Sequence, residues 1–279
     1  MDEISLIVVT FNSGAVLARA LETVPKGVEI IIVDNNSGDD SVLIAQQFVN
    51  CTVIQNSCNV GFGTACNQAV KIASGELLFF VNPDIVLPST ALAGLLNAAR
   101  IYPEAAAIGP TLLPMAYAYE QNNGQMSDEA FASDIDLNAI SSPSTLSGAA
   151  LLCRRSAFDR VGGFDERFFL YFEDTDLCIR LKRDCGSLIL MHDIFAFHTP
   201  GKSSRLTRSE VFTKYRHYGL SRSIFSEKHG GEFKPLAIMA RQFIGGIGSF
   251  CKLDSDRAFR KFGRFFGYAE GWIRNRLRT

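Results

Sequence analysis

No Cys-x-x-Cys pair occurs in the 279 residues, and none of the seven cysteines (Cys51, Cys58, Cys66, Cys153, Cys178, Cys185 and Cys251) stands at a Cys/His spacing suited to structural zinc. The odd count argues against a closed disulfide framework, so they read as reduced thiols, mostly buried, in a cytosolic protein. A basic N-terminal stretch is also missing. Met1-Asp2-Glu3-Ile4 puts two acids where a secretion signal carries cations, and no such signal is expected. The longest apolar stretch in the C-terminal part, residues 236–251, is interrupted by Arg241 and Gln242 and falls short of a membrane span. Repeats and low-complexity runs are absent, which excludes a solenoid.

The composition that remains is that of a globular chain, 47% hydrophobic and 20% charged, long enough for one large core or two small ones. Its formal net charge of -1 hides a division. Residues 1–200 carry 11 basic and 23 acidic side chains, whereas residues 201–279 carry 17 and 6. An acidic body followed by a segment that prefers an anionic surface is the expected consequence. Nucleic acid is excluded as the partner, because the body would repel a phosphate backbone.

Short β-branched runs at 4–9, 30–33, 52–55 and 77–81, each separated by about a helix length, predict a parallel sheet covered by helices. A fifth strand is expected at 106–113, then a long polar loop over 116–144. Beyond it come a strand at 146–153, a helix at 154–161 stopped by Gly162-Gly163, a helix at 172–183, and two short strands at 188–191 and 194–197. From Thr207 onward the pattern is helical and basic.

In an open parallel sheet, ligands bind beyond the carboxyl ends of the strands. The residues there are Thr10-Phe11-Asn12-Ser13, Asp34-Asn35-Asn36-Ser37, Gln55-Asn56 and Asn82-Pro83-Asp84. Each alone could be a turn or helix cap; all four on one rim point to a binding site. Asp34 suits a pyrimidine imide N–H. Asn59-Val60-Gly61-Phe62-Gly63 opens a helix whose amino end favours phosphate. Rossmann dinucleotide binding does not fit, since Thr-Phe-Asn-Ser-Gly follows strand one in place of Gly-x-Gly-x-x-Gly. Asp84 suits a hard divalent ion, Mg2+ or Mn2+, shared with substrate phosphates. The densest acidic cluster, Glu173-Asp174-Thr175-Asp176, follows five residues rich in aromatics. Like charge and desolvation there should raise at least one carboxyl and prepare a general base. Asp174 and Asp176 cannot share one helix face, so one is expected in the site and the other in a structural hydrogen bond.

Together these blocks resemble family 2 glycosyltransferases, in particular the bacterial rhamnosyltransferase-like branch that builds cell-surface polysaccharides. The resemblance runs in order through Val8-Val9-Thr10-Phe11-Asn12, Val33-Asp34-Asn35-Asn36-Ser37, Asn59 to Gly63 with Asn67, Asn82-Pro83-Asp84, Gly148 with Arg155, Val161-Gly162-Gly163-Phe164-Asp165-Glu166, Tyr171 to Leu177, and His198. It implies a GT-A fold, an α/β, mostly parallel sheet flanked by helices, over residues 1–205. Within this, residues 1–113 form the nucleotide-sugar-binding half and 145–205 the acceptor half, and 206–279 add a helical basic extension.

The resemblance also implies roles. Thr10, Asn12, Asp34 and Asn36 hold the nucleoside, and Asn59, Gly61 and Asn67 lie along the ribose and diphosphate. Asn82 and Asp84 stand at the Asp-x-Asp metal motif, where Asn82 is a departure. Asp84 is then the one anionic ligand there, joined by His198, for Mg2+ or Mn2+. Asp174 is the catalytic base, with Gly148, Asp165 and Glu173 on the acceptor side. The expected reaction is inverting transfer from dTDP-rhamnose or a UDP-sugar to a saccharide acceptor, lipid-linked in the favoured case, at the cytoplasmic face of a membrane. Rival readings are a nucleotidyltransferase, disfavoured because no Gly-rich, Arg/Lys-bearing loop follows strand one, and a non-catalytic sugar-nucleotide or polysaccharide-binding module. In the last segment, Phe259, Phe262 and Phe266 share a helix face bordered by Arg257, Arg260, Lys261 and Arg264. That face predicts either an interfacial helix on an anionic membrane or packing against the body or a second subunit of a homo-oligomer.

Overall fold

A computed structural model of the protein describes residues 3–114, 140–198, 207–230 and 234–277. The chain forms two compact units. One comprises Met1–Val60, Thr64–Phe164 and Leu177–Ser204; the other comprises Gly61–Gly63, Asp165–Asp176 and Arg205–Thr279.

The first unit is built on one mixed sheet. Its strands are β1 (Ile4–Thr10), β2 (Glu29–Asp34), β3 (Cys51–Gln55), β4 (Leu77–Val81), β5 (Ile85–Val86), β6 (Ala105–Pro114), β7 (Ile140–Ser141), β8 (Ala150–Arg154) and β9 (Ser187–His198). They lie in the order β3-β2-β1-β4-β8-β6-β9-β5, with β7 paired to β9. The block β3-β2-β1-β4 is parallel, as the β-branched runs predict, while β8 runs antiparallel to both β4 and β6. Helices α1 (Gly14–Glu22), α2 (Ser41–Ala45), α3 (Phe62–Val70), α4 (Ser89–Ile101), α5 (Arg155–Arg160) and α6 (Glu173–Asp184) connect the strands.

Alternation along buried strands divides the core between two faces. Leu6, Val8, Ile30, Ile32 and Phe79 join Leu17 of α1 and Leu92 and Leu95 of α4 in one cluster. On the opposite face Phe80 meets Phe158 of α5 at 5.3 Å and Phe164 at 5.2 Å between ring centres. Arg180 holds the Gly162-Gly163 stop in place by donating to the carbonyls of Val161 (2.8 Å) and Gly163 (2.7 Å). Both glycines have positive φ, as a left-handed helix stop requires.

Three local expectations change. The strand expected at 146–153 begins only at Ala150, because Ala150 N–H closes a turn onto the Ser147 carbonyl. The two strands expected at 188–191 and 194–197 are one strand, β9. Its register against β6 steps from Met191 to Phe195 between Pro110 and Thr111, so residues 192–194 form an irregularity that reads as a break. The polar loop at 116–144 lies mostly outside the described residues, and its end carries β7.

The second unit centres on α7 (Arg208–His229), α8 (Pro235–Cys251) and α9 (Ser255–Arg276). A capping box starts α7: Thr207 Oγ1 accepts from Glu210 N–H and Glu210 accepts from Thr207 N–H. Helices α7 and α9 approach through glycine. Gly263, Gly267 and Gly271 repeat every fourth residue, and a methyl on Gly263 would sit 2.5 Å from the Phe212 carbonyl oxygen. On Gly267 it would overlap the Arg216 carbonyl oxygen, and on Gly271 the Ser223 side chain. Arg264 lies over Tyr215 (4.7 Å) and Tyr218 (5.1 Å) beside this seam. Of the two readings of this helix's aromatic face, packing accounts for most of it. Phe262 packs on Phe243 and on Gly246 of α8, Phe259 is half-buried, and Phe266 alone of the three is exposed.

Candidate active site

The parallel register gathers the polar rim. Thr10 pairs with Asp34 and Asp34 with Gln55, so the carboxyl ends of β1, β2 and β3 finish level. Thr10 Oγ1 donates to Asp34 Oδ1 at 2.9 Å, and Ser37 gives Asp34 both its N–H (2.9 Å) and its hydroxyl (2.5 Å). Three of the roughly four acceptor sites of that buried carboxylate are thus filled from within. Ser37 Oγ in turn accepts from Asn12 N–H, and Asn12 Oδ1 accepts from Gly38 N–H. Asn12 and Asn36 both adopt left-handed backbone, at φ 54° and 64°, a conformation that asparagine tolerates and that recurs at functional turns. Asn56 ties the rim to α3 by donating to Asn35 Oδ1 and Gln68 Oε1, both at 2.9 Å. Phe11 presents a half-exposed ring at the same rim.

Other expected donor-site residues have internal duties. Asn67 uses both ends of its amide on the backbone of Phe164, at 2.9 and 3.0 Å. Gly61 has φ 90°, and a methyl there would sit 2.5 Å from the Phe169 carbonyl oxygen, so only glycine fits. Phe62 N–H, in the first turn of α3, donates to that same carbonyl, which removes one donor from the amino end proposed for phosphate. Asn59 is half-buried before this turn. Asn82 N–H is held by the Ala149 carbonyl, next to buried Gly148.

Asp84 follows β4, and His198 ends β9. Asp84 Oδ2 and His198 Nε2 stand 3.1 Å apart. That is the edge of an octahedron with ligand distances near 2.1 Å, about 3 Å, so the two atoms can be adjacent ligands of one Mg2+ or Mn2+. Among the described residues no third His, Cys, Asp or Glu joins them. A Mg2+ held by one carboxylate takes most of its remaining ligands from water and phosphate oxygens.

In the second unit the four-residue acidic cluster is sorted by its surroundings. Asp176 is 0% exposed and accepts from Lys228 Nζ and His229 Nε2, each at 2.7 Å. It is the structural member of the pair that helix geometry had set apart. Lys228 also reaches Asp165 at 2.7 Å, and Arg167 adds a bidentate contact, Nε to Oδ1 and a terminal nitrogen to Oδ2. Burial opposes charge on Asp165, but hydrogen bonds from Arg167 and Lys228 outweigh it and hold the carboxyl well below its usual range. Asp165 is therefore a locked ionic anchor. Lys228 and His229 could not be found by pattern, because partners as far along the chain as Asp165 is from Lys228 (63 residues) and Asp176 from His229 (53) leave no local signal.

Glu173 is 7% exposed, and its Oε2 has no hydrogen-bond partner. Burial, then the neighbouring Asp174, push its carboxyl up to about 8. Asp174 stays half-exposed, with Oδ1 accepting from Thr175 N–H at 2.7 Å. Tyr171 and Phe172 just before it have φ 70° and 68°, left-handed for two consecutive bulky residues. Such strain persists only where neighbours hold it. Ser221 Oγ donates to the Leu170 carbonyl, and Tyr218 and Phe225 pack their rings on Phe172 at 5.4 and 5.3 Å.

The sequence profile of glycosyl transferase family 2 matches residues 5–162. The chain belongs to that family. An N-acetylglucosaminyl-diphospho-decaprenol L-rhamnosyltransferase of Mycobacterium tuberculosis is 29% identical over 229 residues, covering 64% of this chain and 70% of the relative. A pre-mycofactocin glycosyltransferase of the same organism is 29% identical over 253 residues, 86% of this chain and 51% of its own length. Among solved structures, the mannosyltransferase PcManGT of Pyrobaculum calidifontis, in complex with GDP-Man and Mn2+, superposes with a TM-score of 0.59 at 15% identity, covering 99% of this chain and 76% of that one. Residues 1–349 of S. aureus TarS in complex with UDP give 0.58 at 18% identity, covering 98% and 92%. At these identities the structural likeness establishes the shared GT-A fold.

Proposed function

We propose that this family 2 glycosyltransferase moves a sugar, with inversion, from dTDP-rhamnose or a UDP-sugar to a saccharide carried on a lipid diphosphate, in cell-surface polysaccharide synthesis. The observation that carries the reading is the sorting of the acidic cluster. Ion pairs lock Asp176 and burial neutralises Glu173, which leaves Asp174 as the half-exposed carboxylate of the first turn of α6. A general base must be reachable by the hydroxyl it serves. The names of the rhamnosyltransferase relative and of the nucleotide-bound GT-A structures support the donor and acceptor classes.

In this reading the Thr10, Asn12, Asp34 and Asn36 rim receives the base and ribose. Asp34 retains one acceptor site for an imide N–H, and Phe11 offers a face for stacking. The resemblance assigns Asn59, Gly61 and Asn82 to the diphosphate, while Asn67 serves by holding the Phe164 backbone. Asp84 and His198 would hold Mg2+ or Mn2+, which neutralises charge on the leaving diphosphate. Asp174 takes the proton of the acceptor hydroxyl as its oxygen attacks the anomeric carbon opposite the leaving group, one displacement that inverts the centre. The resemblance assigns Gly148 and Asp165 to the acceptor side.

Thermal-shift screening against dTDP-, UDP- and GDP-sugars with Mn2+ identifies the donor, since a bound donor stabilises by mass action. With that donor, Asp174→Asn is expected to abolish transfer while donor affinity stays within a few-fold. Transfer near the wild-type rate would move the base elsewhere, and a product of retained configuration would refute single displacement.

A further inference from the structure

Helix α8 is built inside out. At about 100° per residue, Leu236, Phe243, Ile244, Ile247 and Phe250 fall within about 120° of arc. All five are exposed: Leu236 is 63%, Ile244 68% and Phe250 65% accessible. The opposite side, which is buried, carries Gln242, Gly246 and Ser249. A helix of a globular protein has the reverse distribution. The cause lies in α9, whose Phe262 and Lys261 sit where a side chain on Gly246 or Gly245 would stand, with Lys261 Nζ donating to the Gly245 carbonyl at 3.2 Å. The small, polar side is the one that admits α9, and the large apolar side is left outward. Leu253, just past the helix end, is 92% exposed and continues the apolar surface.

Cations border this face. Arg241 lies at its edge by helical position, Lys234 and Lys252 stand at the two ends of α8, and Arg257 follows in the first turn of α9, all exposed. Of the nearby acids, Asp254 is engaged in capping α9 through Arg257 N–H, and Asp256 is exposed. No helix among the described residues is long and apolar enough to cross a membrane. Apolar residues on one side with basic residues at the border are the properties of a helix that lies in a bilayer surface.

We propose that α8 docks the protein on an anionic lipid bilayer, with Leu236, Phe243, Ile244, Ile247 and Phe250 in the boundary between headgroups and acyl chains. Charge selects this occupant over a second copy. Two copies joined through the same face would oppose segments that each carry 17 basic against 6 acidic side chains, whereas anionic headgroups neutralise them. The proposal moves the membrane contact from the aromatic stripe of α9 to its neighbour, and it holds whichever sugar the enzyme transfers.

The test is cosedimentation of the full chain with vesicles of phosphatidylcholine alone and of phosphatidylcholine mixed with phosphatidylglycerol, at low and high salt. Binding is expected to the anionic vesicles, weakened by salt, and reduced roughly tenfold or more by the double variant Ile244→Glu/Phe250→Glu. Both side chains are exposed, so circular dichroism and donor-induced thermal shift should not change. Arg241→Glu is expected to reduce anionic binding alone. Absence of binding, equal binding to both vesicles, or binding indifferent to the double variant overturns the proposal. So does a dimer seen by light scattering without lipid that the double variant dissolves, which would assign the face to a second copy.

Discussion

Titration of Glu173 tests the sorting of the acidic cluster most directly. The side chain is 7% exposed, its Oε2 is buried without a donor, and Asp174 adjoins it. These factors move its carboxyl from an ordinary 4.5 to about 8. The unfolded chain releases this proton near 4.5, while the folded protein keeps it until about 8. Stability must fall with rising pH wherever the native state holds more protons. The contribution is therefore complete below pH 4.5, declines through the window, and is gone above about 8. At about 1.4 kcal/mol per pH unit, the whole span is worth about 5 kcal/mol, an upper bound because an ionised carboxylate can swing toward water.

Glu173→Gln places a permanent neutral isostere at the position and should remove that slope. Any cost of seating the amide is the same at every pH, so the difference between variant and wild type isolates the titration. Urea unfolding followed by circular dichroism, at pH values spaced from about 5 to about 8, should show the variant gaining on the wild type by several kcal/mol. Parallel curves would refute the burial of a protonated Glu173. Because a protonated carboxyl cannot accept a proton, the same variant should keep sugar transfer within several-fold near neutral pH, in contrast to Asp174→Asn.

Two further outcomes follow from the geometry. Asp84→Ala should weaken donor binding as well as turnover, by removing the carboxylate beside His198, and EDTA should abolish wild-type activity; full activity in excess chelator would assign diphosphate neutralisation to basic side chains. Gly267→Ala should lower the unfolding free energy by about 3 kcal/mol, since the new methyl has only the Arg216 carbonyl oxygen to occupy, and an unchanged melting temperature would show that the α7–α9 seam is looser than described.

The parallel half of the fold was legible because strands buried on both faces are apolar nearly throughout, as β1, β2 and β4 are. The rim was legible for the same reason: polar residues stand where each run stops. Single residues were harder. Asn67 carries an amide suited to a ligand, yet it clasps the Phe164 backbone, and composition cannot tell these uses apart. The helix stop at Gly162-Gly163 could be read locally, but the Arg180 that holds it could not. Asp176 needed a buried partner by simple electrostatics, and the sequence offered no means of choosing Lys228 and His229 from many cations.

The two last helices show how far periodicity reaches. An amphipathic repeat names a face without naming what covers it. In α9 the aromatic stripe drew attention, but glycine at 263, 267 and 271 determines the packing, because backbones can close only where no side chain intervenes. Once that seam binds α7, the neighbouring flank of α9 is turned toward α8, and Phe262 fills the space over Gly246. Helix α8 then has one orientation that avoids a clash, with Gly245 and Gly246 toward α9 and its large apolar residues outward. The exposed apolar surface is thus a consequence of glycine placement on two helices, and the cations that border it determine which surroundings can cover it.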